Sequence, residues 1–62
     1  MMDLRRFAEE VREAVVQSAV TAYEDAAVQG LCSQGAWEVA VTAMRKLDLR
    51  RLTSEHQEAG LQ

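Results

Sequence analysis

The sequence predicts an all-α fold, an antiparallel helical hairpin. Apolar residues recur at spacings of three and four along two stretches of the 62-residue chain, which is the helical period. One short segment holding two of the three glycines separates the stretches, and no proline interrupts either of them. Ten of the thirty hydrophobic residues are alanine and only Phe7, Tyr23 and Trp37 are aromatic, so helix propensity is high but core area is small.

The first helix is expected over about residues 3–29. Its apolar stripe is Leu4, Phe7, Ala8, Val11, Ala14, Val15, Ala19, Ala22, Tyr23, Ala26 and Ala27, and Arg6, Glu10, Glu13, Gln17, Thr21 and Glu24 occupy the opposite face. Asp3 stands where an N-cap is needed. Arg5–Glu9 and Arg6–Glu10 have ion-pair spacing, and Val16 and Val20 widen the stripe toward a face able to meet two neighbours.

The break is Gly30-Leu31-Cys32-Ser33-Gln34-Gly35, where either glycine suits a left-handed helix cap. The second helix is expected over about residues 36–50, with Trp37, Ala40, Val41, Met44, Leu47 and Leu52 as its stripe. Residues 37–42 also alternate in polarity. A strand is rejected there because helical spacing continues through Met44 and Leu47 and a lone strand has nothing to pair with. Residues 1–52 form the single domain on this reading, and residues 53–62 a flexible polar tail.

At 1.5 Å per residue the first helix is about 40 Å long and the second about 20–25 Å. The second can then cover the first only from about Val15 onward, which leaves Leu4, Phe7, Ala8 and Val11 overhanging. The alternative, a kink near Gln17-Ser18 that folds the first ten residues back, has no Gly or Pro to make it. A small chain without disulfide or metal needs additional burial. The hairpin is therefore expected to be completed as a four-helix bundle by dimerisation, with Leu4, Phe7, Ala8, Val11, Val15, Trp37 and Met44 at the interface. Trp37 is expected to pack on Tyr23, Ala26 and Ala27.

The basic residues fall in two blocks. The first is Arg5, Arg6 and Arg12, and the second is the cluster Arg45, Lys46, Arg50 and Arg51. Residues 13–44 carry only acidic charge, so the open end of the hairpin is basic and the loop end acidic. Lys and Arg in a last helical turn complement the helix dipole. With a net charge of −3, and with Asp48, Glu9 and Glu10 interrupting the basic cluster, nucleic acid is a disfavoured partner.

No catalytic constellation is legible. Cys32 and His56 are the obvious nucleophile and base, and the hairpin places them at opposite ends of the second helix. Cys32 is read as a small apolar residue beneath the loop. The Glu-x-x-His pattern of bundle metal sites is absent, because Thr53 stands three residues before His56. No cofactor, metal or small-molecule substrate is expected. With no long apolar run, membrane span or signal peptide, and a lone cysteine, the chain is expected in the reducing cytoplasm.

Gly35, Trp37, Ala40, Met44 and Leu47 follow the spacing of the second helix of a tetratricopeptide hairpin, which this part of the chain resembles. The first helix departs from that family's pattern, with Ala27-Val28 and then Leu31 in place of its leucine–glycine pair and aromatic, and the closing proline is missing. The resemblance covers about half the chain and a single unit. It implies hairpin geometry with Gly35 as the turn, and no peptide-binding groove.

The functional expectation is a non-enzymatic helical protein that acts by protein–protein interaction as a homodimer. The alternatives are an accessory subunit docking on a larger enzyme complex and a small helical nucleic-acid-binding regulator.

Overall fold

The computed structural model describes residues 3–54. Two helices, α1 (Leu4–Val28) and α2 (Ser33–Lys46), form the hairpin, and residues 50–54 make a further helical turn. There is no strand among the described residues. The hairpin measures 47 × 17 × 15 Å.

Helix α1 begins at the expected cap. Asp3 is extended, and its Oδ1 accepts the backbone N–H of Arg6 at 2.8 Å, which satisfies one of the donors left open at a helix start. The helix then runs unbroken, with no kink at Gln17-Ser18. It stops in a Schellman arrangement: the Gly30 N–H donates to the Ala27 carbonyl at 3.0 Å and the Leu31 N–H to the Ala26 carbonyl at 3.1 Å. That closure requires a residue at positive φ, and Gly30 supplies it at +96°.

The turn glycine is thus Gly30, and the expectation of Gly35 is corrected. Gly35 lies in the first turn of α2, which starts at Ser33 rather than near Ala36. Leu31, the residue after the turn glycine, lies 3.5 Å from where a Cβ on Gly35 would stand. The Cys32 carbonyl accepts the Ala36 N–H at 2.8 Å and so opens α2. Helix α2 ends at Lys46, short of the expected residue 50, where Leu47 leaves helical geometry at ψ 125°. Asp48 then starts the next turn, because its Oδ1 accepts the Arg50 N–H at 2.9 Å and so offers the backbone an alternative to continuing the helix. Thr53 and Ser54, placed by sequence in the tail, are helical, and the rest of that segment, with His56, lies outside the described residues.

The helices meet through alanine. Ala26, Ala36 and Ala40 are 4%, 0% and 1% exposed and are the buried hydrophobic residues among those described; no large side chain is fully buried. Methyl groups at the crossing let the backbones approach closely. They also bring little apolar area out of water.

Two pairs of substitutions test this arrangement by thermal melting followed by helicity. Gly30→Ala should destabilise the hairpin by about 1 kcal/mol, because the new Cβ meets no neighbour but the backbone conformation is unfavourable. Gly35→Ala should be neutral or stabilise by up to about 1 kcal/mol, since its Cβ would make ordinary contact with Leu31 in a helical turn. Ala40→Leu should cost about 1–3 kcal/mol by forcing the helices apart. Ala27→Leu, on an exposed position, should stay within about 0.5 kcal/mol of wild type.

Candidate functional site

Around the buried alanines, larger side chains such as Val15 and Met44 are half-buried, and others stand exposed on the flanks of the hairpin. On one flank Ala19, Val20, Tyr23 and Glu24 of α1 and Trp37 and Ala40 of α2 line an open groove with a mostly apolar surface. Val16 precedes Val20 by one helical turn. Val16, Val20, Tyr23 and Trp37 are all exposed, Trp37 at 57%. This corrects the expected packing of Trp37 as core: its ring borders the groove and keeps more than half its surface in water. Beyond it, Trp37, Glu38, Val41, Thr42 and Arg45 line a second groove along α2. Val16, Val20, Tyr23 and Trp37 make one exposed apolar patch, and Leu31 and Val39, also exposed, border another groove with Gly35, Glu38, Thr42 and Ala43.

The residues expected at the interface are distributed unevenly. Val15 and Met44 are half-buried between the helices. Leu4, at 79% exposed, and Ala8 overhang as expected. Phe7 and Val11, also expected bare, are half-buried. On this side of the hairpin Leu47, Asp48, Arg51 and Leu52 of the chain after α2 share a groove with Ala14 of α1. Val16, Val20 and Tyr23 were not among the expected interface residues. The signal was the position of the two valines beside the main stripe.

The basic cluster divides in two. Arg45 and Lys46 fall in the last turn of α2, where their charge complements the helix dipole. Arg50 folds back onto Asp48, with Nε 3.1 Å from Oδ1 and Nη2 3.4 Å from Oδ2. The side-chain hydrogen bonds from Arg50, followed by its backbone N–H, hold the Asp48 carboxyl below the ordinary aspartate value. On α1 the ion pair formed is Glu9–Arg12 at 3.3 Å, in place of the expected Arg5–Glu9 spacing. Both partners are exposed, so the pair adds little stability.

Cys32 is exposed at the turn, not buried beneath it, because its place at the start of α2 holds it outside the alanine contact. Among the described residues no group of three His, Cys, Asp or Glu side chains is placed to hold a metal ion, and no helix is long and apolar enough to cross a membrane.

Comparison with protein-family models, with curated proteins and with solved structures found no match.

The Asp48–Arg50 turn makes a pH prediction. A carboxyl whose folded value is depressed stabilises its structure above its unfolded value, and that contribution is lost as pH falls through the folded value. The turn at residues 50–54 should therefore loosen in acid below the usual aspartate range, read from the amide signals of Arg50 and Thr53. Arg50→Gln should raise the Asp48 titration midpoint part of the way to its ordinary value. The backbone N–H of residue 50 still donates to the carboxylate in that variant.

Proposed function

We propose that the chain acts by protein–protein interaction, as a homodimer in which two hairpins close a four-helix bundle, and not by catalysis. The observation that carries this reading is the inversion of its packing. Trp37 and Tyr23, with Val16 and Val20, stand exposed, while the fully buried hydrophobic residues among those described are three alanines. Aromatic side chains grouped with aliphatic ones on a surface are the usual anchors of an interface. Covering this face with a second copy supplies the apolar burial that a two-helix chain lacks. Binding to nucleic acid is less well supported, because Asp48 engages Arg50 and the net charge is −3.

The test is the mass in solution by light scattering after gel filtration, across a hundredfold concentration range, with helicity measured on the same samples. The expected result is twice the chain mass of 6.9 kDa together with high helicity. Val20→Asp should weaken the dimer at least roughly tenfold by placing an unpaired charge in the interface. Leu4→Asp, at the overhanging end, should leave the mass unchanged. A dimer insensitive to Val20→Asp but lost with Leu4→Asp would move the interface to the start of α1. A monomer throughout would favour the accessory-subunit reading, in which a larger protein covers the face.

A further inference from the structure

The apolar face carries opposite charge at its two ends. Glu24 lies in the groove with Val20, Tyr23 and Trp37, near the hairpin turn. Glu38, beside Trp37, lies in the first half of α2 and lines both the groove of Trp37, Val41 and Arg45 and the one of Leu31, Gly35 and Val39. At the other end Arg45 lines the groove shared by Trp37, Glu38, Val41 and Thr42, and Lys46 follows it. Glu38 and Arg45 are seven residues apart, two helical turns, so they stand on one side of α2 with Val41 and Thr42 between them.

A face can be laid on its own copy by a two-fold axis in two ways. If the axis runs along the helices, both turns lie at one end. The two copies' Glu24 and Glu38 then gather there, and their Arg45 and Lys46 gather at the other end. If the axis runs across the helices, the turn of one copy lies over the open end of the other. α2 is then antiparallel to the partner's α2. Centred near Val41 and Thr42, this arrangement brings Glu38 opposite the partner's Arg45, and by symmetry forms the same pair twice. Like charges placed together across an interface oppose assembly, and opposite charges fix its register.

Resting on the homodimer reading above, we infer that the second copy docks turn end to open end, with Glu38 paired to the partner's Arg45 at each side of the apolar contact. The pairs select this orientation, and Val16, Val20, Tyr23 and Trp37 supply the area.

Cys32 is the single cysteine of the chain and is exposed at the turn, so the unmutated chain carries its own orientation probe. A spin label on it should report a separation of about 30 Å, since a helix rise of about 14 Å lies between Cys32 and the Val41–Thr42 centre in each copy. A dimer by mass with labels closer than about 20 Å would overturn the orientation and leave the homodimer standing. A monomer by mass would overturn the homodimer itself. Glu38→Arg and Arg45→Glu should each weaken the dimer roughly tenfold, and the double substitution should restore it to within about threefold. A long separation without that rescue would overturn the Glu38–Arg45 pairing. Helicity of each variant, followed in parallel, separates lost pairing from lost fold.

Discussion

The contact on which everything else rests is between alanines. Ala26 of α1 meets α2 where Ala36 and Ala40 are buried, and nothing larger is fully enclosed. An alanine contact has two consequences that pull in opposite directions. It lets two helices lie close with little loss of side-chain entropy, since the methyl group has no rotamers to lose. It also withdraws little surface from water, so its hydrophobic contribution is small. The hairpin is therefore well defined in shape and thinly supported in energy.

Its shape is fixed by backbone devices more than by packing. Asp3 caps α1 through a 2.8 Å hydrogen bond, Gly30 closes it with a positive φ, and Asp48 diverts the chain after α2 by accepting the Arg50 N–H. Each acts over a few residues and needs no core. Together they set where the helices start and stop, and so which residues of α1 face Ala36 and Ala40. The groove of Ala19, Val20, Tyr23 and Trp37 follows from that register.

Much of this was legible in the sequence, for physical reasons that also mark where legibility ends. The Asp3 cap is a local signal and stands in the structure; of the α1 stripe, Phe7, Val11, Ala14, Val15, Ala19, Ala22 and Ala26 are buried or half-buried, while Leu4, Ala8, Tyr23 and Ala27 are exposed. The choice between Gly30 and Gly35 turned on the residue that follows. A Schellman closure places an apolar residue after its glycine, and Leu31 follows Gly30. The early end of α2 hung on Asp48, whose side chain competes with the helix for the same backbone donors, an effect periodicity does not register. The exposure of Trp37 was the least legible feature. Spacing assigns a side of the helix, but burial depends on how near the axes come. That distance is set by which residues occupy the crossing, and here they are alanines.

The exposed face and the thin core then have one cause. Small residues at the crossing bring the helices close, and a close crossing has no room for an indole or a phenol. Trp37 lies on the same flank as Val20 and Tyr23, and Val16 precedes Val20 by one helical turn. Part of the surface withheld from the intramolecular core is thus gathered on this flank, with Glu24 beside it near the turn and Arg45 toward the open end, while Leu4, Val28, Leu31, Val39 and Leu49 are exposed elsewhere. A chain built this way ties its stability to whatever covers that face, since a partner that binds only the folded form shifts the folding equilibrium by mass action. Under the proposed pairing the covering surface is a second copy, and folding and assembly draw on the same four side chains.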